Sequence, residues 1–334
     1  VLPNNPSLIH PGRNRDILKK KRDKLLTKLA QAGEMDQLTL ELAMSESIPE
    51  KPLPLPRFAP HLLDRMTKEG MSQQKVISTL DMTVQQRTLQ IIDDHYQQLK
   101  ANQIFNAAAI IIDVKTGNVI AYVGNTQSGA ENGNQVDVVN APRSTGSILK
   151  PFLFAAMLNE GEMLQRTLVP DIPVVFNGFS PKNFSKEFDG AVPADKALVR
   201  SLNIPAVHEL RDYRYEKFYE VLKHVGLTTL TKSADHYGLS LVLGGAEGTL
   251  WDITGAYASM ARTLNNYFTH PGKNRYSKED FHAPRFINHL PIHIGTETVN
   301  DLEASSVFSA ASIYLTFDAL KEVFRPGDGT GWKY

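Results

Sequence analysis

The sequence predicts an α+β fold in which a β-hairpin precedes a group of helices. Residues 107–124 hold two apolar, β-branched runs joined by the turn-forming sequence DVKTGN, which is the pattern of an antiparallel hairpin. From Ser147 to about residue 265, apolar residues recur mainly at helical spacing. Because strands and helices do not alternate along the chain, a mixed layer of sheet and helices is favoured over a parallel α/β sheet.

The N-terminal segment predicts two helices. Residues 13–32 place four leucines on one side at helical spacing, namely Leu18, Leu25, Leu26 and Leu29. The remaining surface of this helix is strongly basic. It could face anionic lipid headgroups, although a solvated face is the favoured interpretation. A second short helix is expected after Gly33, within residues 35–47.

Prolines divide the chain after these helices. Residues 48–60 contain Pro49, Pro52, Pro54, Pro56 and Pro60. Such a density enforces stiff, extended backbone and is typical of a connector between domains. We therefore expect an N-terminal segment at residues 1–47, a linker at 48–75 and one large domain at 76–334.

The predicted large domain begins with residues 76–99. Their pattern predicts a short extended segment and then a helix that begins near Thr83. Leu89, Ile92 and Tyr96 recur at helical spacing, so we expect them to face inward.

Composition excludes several classes of function. The chain has 36 basic and 36 acidic residues, whereas a nucleic-acid-binding protein normally carries a basic excess, so no nucleic-acid partner is expected. The absence of cysteine rules out disulfides and thiolate zinc sites. The apolar run at residues 107–112 is too short to span a membrane. The first residues lack the pattern of a signal peptide, and their abrupt start leads us to expect further chain upstream.

Histidines and large apolar side chains favour structural roles over a cofactor site. His208 and His224 lie on helical patterns without the paired spacing of metal ligands. Trp251, Tyr257 and Met260 fit a buried helix face. We therefore expect neither a metal nor a cofactor.

The first candidate site lies in residues 144–152, STGSILKPF. Lys150 follows Ser147 by three residues, so on a helix the two side chains are neighbours, whereas Ser144 lies too far from the lysine. Gly146 permits a tight backbone before the helix, where free backbone N–H groups favour a developing oxyanion. A lysine whose pKa is lowered by burial can take the proton of a serine hydroxyl. This pattern alone leaves open a plain helix cap with a solvent-facing lysine.

A second candidate follows in residues 200–206, RSLNIPA. Ser201 could pass a proton to a leaving amine, and Asn203 could orient Lys150 and hold a substrate amide. The alternative is that Asn203 only marks a helix end, because asparagine and proline are common at helix terminations.

Together the two motifs resemble those of the penicillin-interacting serine enzymes, in which S-x-x-K is followed by S-x-N. The phrases STLDMTVQQ, IIIDVKTGNVIAYVG, STGSILKPF, ALVRSLNIPAV and LVLGGAEGTLWDITGAYASMA resemble, in this order, the transpeptidase domain of class A penicillin-binding proteins. LPRFAPHLLDRM and PKNF resemble the type 1C subgroup of that family. The similarity covers roughly residues 57–265, and residues 1–47 resemble the tail of the glycosyltransferase domain in those bifunctional proteins.

The resemblance implies a β-lactamase-like transpeptidase fold and a D-Ala-D-Ala transpeptidase of peptidoglycan cross-linking. Ser147 would be the nucleophile and Lys150 its base, and Ser201 with Asn203 would complete the second motif. The expected ligands are peptidoglycan stem peptides and β-lactams, and the expected protein partners are other cell-wall synthesis proteins. The protein would lie at the periplasmic face of the bacterial inner membrane, held there by segments outside this chain.

The third motif of the family, Lys-Thr/Ser-Gly, is where the sequence departs from the pattern. Its single KTG, residues 115–117, precedes Ser147 and lies in the predicted hairpin turn, so a structural role is favoured. Residues 306–324 resemble the helix that normally precedes the motif, and the chain then stops in the loop-like RPGDGTGWKY. We therefore expect an incomplete sheet and weak or no activity from this chain alone. A non-catalytic scaffold is the alternative. A class A β-lactamase is disfavoured because the connector has no place in one.

Overall fold

The computed structural model describes residues 7–51, 53, 55–176, 178–269, 275–288 and 306–323. It divides into two units, Val1–Arg57 and Phe58–Tyr334. The described α-helices are α1 Arg15–Gln31, α2 Gln37–Ser45, α3 Pro60–Lys68, α4 Met82–Leu99, α5 Lys150–Asn159, α6 Ala194–Val199, α7 Asn203–Tyr213, α8 Tyr215–His224, α9 Ala234–Tyr237, α10 Leu250–Thr269 and α11 Ala310–Leu320. The described strands are β1 Ala109–Ile112, β2 Val119–Val123, β3 Arg143–Ser144, β4 Leu168–Asp171, β5 Gly190–Pro193 and β6 Glu247–Gly248.

The first unit contains the two helices that the sequence predicts, α1 and α2, and both are confirmed. Leu18 is buried, but Leu25 is 45% exposed, so the apolar side of α1 is narrower than the leucine spacing indicates. Two arginines of its basic surface bind backbone carbonyls at the end of α2 and just beyond it. Arg15 donates to the oxygens of Ile48 and Pro49, and Arg22 to those of Met44 and Glu46. Part of the basic surface therefore holds this unit together.

The predicted linker is shorter in the structure than in the sequence analysis. In the sequence, the boundary between the two units falls between Arg57 and Phe58, and α3 lies inside the predicted linker at 48–75. Leu62 and Met66 of α3 are buried in a hydrophobic cluster with Tyr122 and other residues of the second unit. Because apolar burial holds α3 in this unit, the second half of the predicted linker is part of the large unit.

The predicted hairpin is confirmed as strands β1 and β2, which pair antiparallel. Asp113 accepts hydrogen bonds from the backbone and hydroxyl of Thr116, and Gly117 has a φ of 71°. A Cβ on Gly117 would lie 2.0 Å from the His282 ring, so only glycine fits this turn. The KTG sequence is therefore a structural turn with Lys115 exposed, as predicted.

Extended segments continue the pairing beyond β2. The N–H of Val119 donates to the oxygen of Arg285 at 2.7 Å, and the N–H of Thr79 donates to the oxygen of Phe286 at 3.0 Å. Within the described residues, β1 has β2 as its only strand partner, and the other sheets also have two strands each. The α+β class is thus confirmed, with small sheets beside the helices.

The main hydrophobic core surrounds α5. Residues 150–157 of this helix are all buried, which is the pattern of a helix enclosed on every side. Side chains from α7, α8, α10 and α11 complete the cluster, including Leu210, Phe218, Met260 and Ile313. Each fully buried side chain of this kind contributes roughly 1.5–3 kcal/mol to the free energy of unfolding. The turn that precedes α5 is therefore attached to a helix that packing holds firmly.

The helix at the start of the large unit begins close to its predicted position. Asp81 caps α4 by accepting a hydrogen bond from the N–H of Val84. The most buried residues of α4 are Gln85 and Thr88, whereas the three apolar residues predicted to face inward are half-buried. Gln85 is 1% exposed, and it donates to the oxygens of Phe58 and Tyr122 and accepts from the N–H of Tyr122. The buried position 85 therefore holds a polar residue because the backbone groups of Phe58 and Tyr122 need hydrogen-bond partners there.

The C-terminal helix is also confirmed as α11. The sequence RPGDGTGWKY, residues 325–334, lies outside the described residues. No helix in the described ranges combines the length and the apolar character that crossing a bilayer requires.

Replacing Gln85 should destabilise the large unit. In Gln85→Leu, the buried N–H and oxygen of Tyr122 lose their side-chain partner, so we expect the free energy of unfolding to fall by about 2–4 kcal/mol. Urea denaturation followed by circular dichroism measures the change. Gln86→Leu alters the exposed neighbour and should change the free energy by less than about 0.5 kcal/mol. Equal effects of the two substitutions would contradict this account of Gln85.

Candidate active site

Ser147 lies in a turn directly before α5. The turn spans residues 146–149, and Gly146 begins it with a φ of 53°. The N–H of Lys150 donates to the Ser147 carbonyl at 3.1 Å, which joins the two residues through one turn of backbone. Ser147 thus precedes the helix and does not lie on it, because α5 begins at Lys150. Ser147 is half-buried, so part of the residue remains accessible to solvent.

Two distant segments hold this turn in place. The hydroxyl of Ser144 donates to the oxygen of Gly244 at 2.8 Å. On α10, the hydroxyl of Tyr257 donates to the oxygen of Ile148 at 3.0 Å. The helical spacing of Tyr257 predicts only a core residue. Its hydroxyl also fixes the backbone of Ile148, the residue next to Ser147.

Lys150 brings the first and second motifs together. Its side chain is 3% exposed, and its Nζ donates to the backbone oxygen of Ser201 at 2.8 Å, to Ser201 Oγ at 3.3 Å and to Asn203 Oδ1 at 2.8 Å. Three of the four predicted site residues therefore form one hydrogen-bonded group. Within the described hydrogen bonds, the Ser147 hydroxyl has no partner, so the direct Ser147–Lys150 contact is not formed in this structure.

The second motif occupies the turn between α6 and α7. Ser201 has a φ of 53°, a left-handed conformation that is uncommon outside glycine, and its side chain is exposed. Asn203 is the first residue of α7, with Pro205 in the first helical turn, where proline is tolerated. Asn203 thus begins a helix, which differs from the simple helix end that its neighbours suggest. Its amide oxygen faces Lys150.

Two residues outside both motifs support Asn203. The side-chain oxygen of Asn183 accepts from the N–H groups of Asn203 and Ile204, so it satisfies the free N terminus of α7. Asn183 Nδ2 donates to the buried carboxylate of Asp171 at 2.7 Å. The amide of Asn203 donates to the oxygen of Lys182 at 2.8 Å. No spacing in the sequence predicts these contacts, since they join positions 12 to 21 residues apart through the fold.

Burial makes the Lys150 amine a weaker base than an ordinary lysine. It lowers the pKa of Lys150 to about 8, and the buried carboxyl of Glu209 opposes this shift. An amine with such a pKa is partly uncharged near neutral pH, which is the state that can accept a proton.

The other residues that the sequence analysis singles out differ in their surroundings. Trp251 and Met260 are buried in hydrophobic clusters. His224 is exposed, and its Nδ1 pairs with the oxygen of Glu220 at 2.7 Å. His208 is buried, with its ring edge-on to Phe176. In the part of the chain that is described, no group of three or more metal-ligating side chains converges.

Comparison with known proteins places these features in a family. Residues 107–265 match the penicillin binding protein transpeptidase domain. The chain is 33% identical over 263 residues to penicillin-binding protein 1C of Escherichia coli, covering 78% of this chain and 34% of that protein. It is 24% identical over 352 residues to penicillin-binding protein 1F of Bacillus subtilis, covering 100% of this chain and 46% of that protein. The chain thus spans less than half the length of either relative.

Solved structures share the fold at low sequence identity. Penicillin-binding protein 1A from Haemophilus influenzae aligns with a TM-score of 0.69 and 16% identity, covering 99% of this chain and 68% of that chain. The penicillin-binding protein PonA1 from Mycobacterium tuberculosis aligns with a TM-score of 0.57 and 19% identity, covering 78% of this chain and 69% of that chain.

The hairpin, the helices around α5 and the paired Ser-x-x-Lys and Ser-x-Asn motifs define a transpeptidase-type domain. The chain belongs to the penicillin-binding protein family, with its transpeptidase domain at residues 107–265. Within that family it is similar to the type 1C proteins.

The low pKa of Lys150 should be visible in the pH dependence of stability. Between about pH 8 and the ordinary lysine value of 10.5, the unfolded chain holds a proton on Lys150 that the folded protein has lost. The free energy of unfolding contributed by this group therefore rises with pH in that window. Lys150→Met lacks this pH-dependent contribution. The difference in the free energy of unfolding between wild type and variant should therefore change by about 2 kcal/mol from pH 7.5 to 9.5.

Urea denaturation at several pH values measures this difference. Lys115→Met removes one exposed lysine from the hairpin turn and controls for the loss of a positive charge. If both variants follow the wild type in parallel across the window, Lys150 does not have a lowered pKa.

Proposed function

We propose that this chain carries the catalytic machinery of a serine-type D-Ala-D-Ala transpeptidase of peptidoglycan cross-linking. The observation that supports this most directly is the buried amine of Lys150, hydrogen-bonded to both polar residues of the second motif and one turn from Ser147. A solvent-facing lysine after a helix cap, the simplest alternative for this motif, does not agree with a side chain that is 3% exposed.

In the proposed first half-reaction, uncharged Lys150 accepts the proton of the Ser147 hydroxyl while Ser147 Oγ attacks the carbonyl of the penultimate D-Ala. The Ser147 N–H, which has no partner among the described hydrogen bonds, would donate to the oxyanion. The C–N bond to the terminal D-Ala then breaks. Ser201 donates its proton to the leaving amine and regains one from protonated Lys150, which leaves an ester on Ser147.

In the second half-reaction, an amine from a neighbouring stem peptide attacks this ester. The amine loses a proton, a new amide bond forms and Ser147 recovers its hydroxyl, with Lys150 carrying the proton between them. Water in place of the amine would give carboxypeptidase activity. Catalysis requires the Ser147 side chain to approach Lys150, and such hydrogen bonds often form only when substrate is bound.

β-Lactams are proposed to acylate Ser147 by the same first step, because the strained lactam carbonyl replaces the peptide carbonyl. One structure with the same fold is that of PonA1 from Mycobacterium tuberculosis in complex with penicillin V, with a TM-score of 0.56 and 19% identity. That ligand belongs to PonA1, and its transfer to this chain is part of the proposal.

A transpeptidase-like scaffold is the second candidate, favoured by one observation. The Ser147 hydroxyl is not bonded to Lys150 among the described hydrogen bonds. The proposed function carries three further expectations, which derive from the family relationship. Residues 1–47 would be the end of a glycosyltransferase domain, the protein would lie at the periplasmic face of the inner membrane, and it would contact other cell-wall synthesis proteins.

Labelling with a fluorescent penicillin tests the enzyme against the scaffold. We expect the wild-type chain to gain one penicilloyl group, detected by gel fluorescence and intact mass, and Ser147→Ala to gain none. Ser72→Ala removes an exposed serine outside both motifs and should keep its label. An unlabelled wild-type chain would favour the scaffold, and a label that persists in Ser147→Ala would assign another nucleophile.

The close approach of Gly244 to the nucleophile turn gives a second prediction. A Cβ on Gly244 would lie 2.8 Å from the Gly146 nitrogen, so Gly244→Ala must displace the turn that carries Ser147. We expect the acylation rate to fall roughly 10- to 100-fold, as small misplacements of a nucleophile do. Gly226→Ala is the matched control, because Gly226 also has a positive φ but nothing within 4 Å. Equal losses in both variants would mean that backbone strain alone explains the effect.

A further inference from the structure

A buried carboxyl lies behind the proposed site. Glu209 is on α7, the helix that Asn203 begins, and it is 8% exposed. Its Oε1 has no hydrogen-bond partner among the described residues. An unpaired buried carboxylate is costly, so such a group needs either a proton or a nearby positive charge. Nothing in the proposed reaction uses Glu209.

Lys150 is the positive charge that acts on Glu209 from the neighbouring helix, because α5 packs against α7. Burial raises the pKa of Glu209 to about 8, Lys150 lowers it and Asp212 raises it further. Glu209 in turn is the charged group that raises the pKa of Lys150. The described ion pairs contain no partner for Lys150, whose hydrogen bonds all go to uncharged oxygens. Glu209 and Lys150 are therefore each other's oppositely charged neighbour.

The other ionisable groups around α7 have different partners or lie nearer the surface. Asp171 of β4 is satisfied by Asn183 and the N–H of Asp189. Asp195 of α6 pairs with Arg166. On α7 itself, burial lowers the pKa of His208. The remaining charged or titratable groups on the packed faces of α6, α7 and α8 are at least partly exposed or uncharged near neutral pH, namely Lys196, Arg211, Asp212, Tyr213, Tyr215, Glu216, Lys217 and Tyr219.

We infer that Glu209 is a positioning residue whose charge controls whether the Lys150 amine is protonated. The inference rests on the proposed role of Lys150 as base. While Glu209 carries its proton, it is neutral and leaves Lys150 free to lose one. When Glu209 ionises, its negative charge stabilises protonated Lys150 and the base is withdrawn. The two groups thus titrate as a coupled pair, and the neutral acid is the form that supports acylation near neutral pH.

Glu209→Gln keeps the shape of the side chain but cannot ionise. We expect the midpoint of Lys150 deprotonation to move to lower pH by roughly half to one unit, less than the 1–3 units of a directly adjacent charge. The rising limb of the penicillin acylation rate should move with it. The gain should be largest near pH 8, where Glu209 ionises in the wild type, and should amount there to roughly 1.5- to 2-fold, whereas acylation at pH 7 should change little because glutamine matches the protonated acid. A purely structural role would lower the melting temperature and leave this midpoint unchanged.

Two measurements separate this inference from the proposed function. Carbon-13 NMR of the lysine Cε resonance, assigned by its loss in Lys150→Met, gives the Lys150 pKa without any acylation. The pH profile of penicillin labelling then reports whether that amine is the base. If the wild type is not acylated but the Lys150 midpoint still falls in Glu209→Gln, the proposed function fails and the coupling stands. If acylation is normal and the midpoint does not move, the coupling is refuted and the function stands.

Asp252→Asn provides the matched control. Asp252 is also 8% exposed, but it accepts hydrogen bonds from Thr228 and does not act on Lys150. We expect this variant to lose stability without any shift of the Lys150 midpoint. A shift of equal size in Asp252→Asn would show that loss of any buried acid moves the midpoint, which would overturn the specific role of Glu209.

The reciprocal experiment covers the case in which Glu209→Gln does not fold. Coupling acts equally in both directions, so Lys150→Met should raise the pKa of Glu209. Carbon-13 NMR of the labelled carboxyl follows this titration in wild type and variant. A Glu209 pKa that is the same in both proteins would refute the coupling.

Discussion

The buried amine of Lys150 is the interaction on which the site depends. A lysine that is almost fully removed from water must bond all of its N–H groups, and it finds three acceptors in the second motif. Those acceptors lie more than 50 residues along the chain, so they are available only if α6 and α7 meet in the observed orientation. The turn with the left-handed Ser201 and the N terminus of α7 therefore place their acceptors around the Lys150 Nζ.

The scaffold supplies this arrangement through two kinds of packing. Every residue of α5 except Lys150 and the exposed Asn159 is apolar, so hydrophobic burial fixes the helix and the amine together. Polar contacts then fix the flanking turns: Asn183 holds the start of α7, and Tyr257 and Gly244 hold the segment around Ser147. Glycine at 244 is needed because the two backbones approach too closely for a side chain. Stability and site geometry are thus carried by the same contacts.

The electrostatics of the site follow from its position in the core. Low polarity disfavours charge on Lys150 and on Glu209 alike, which moves the two pKa values toward each other from opposite ends of the scale. A proton can then shift between nearby groups at little cost in free energy. The same physics explains why the exposed KTG turn has no such chemistry: Lys115 is solvated, and its glycine is required by the close His282 ring.

Much of this protein follows from local patterns in its sequence. Periodicity and turn chemistry determine the hairpin, α1 and α2. The family resemblance indicates α11, and together with the spacing of Ser147 with Lys150 and of Ser201 with Asn203 it identifies the motifs. The tertiary structure decided what the motifs contact. It directed Lys150 toward Ser201 and Asn203 rather than Ser147, made Gln85 a core residue, drew α3 into the large unit and brought in Asn183 and Glu209. The physical reason is that these contacts join residues far apart in the sequence. The hydrogen-bond partners of a buried polar group belong to whichever distant segment packs against it, and burial itself depends on the whole fold.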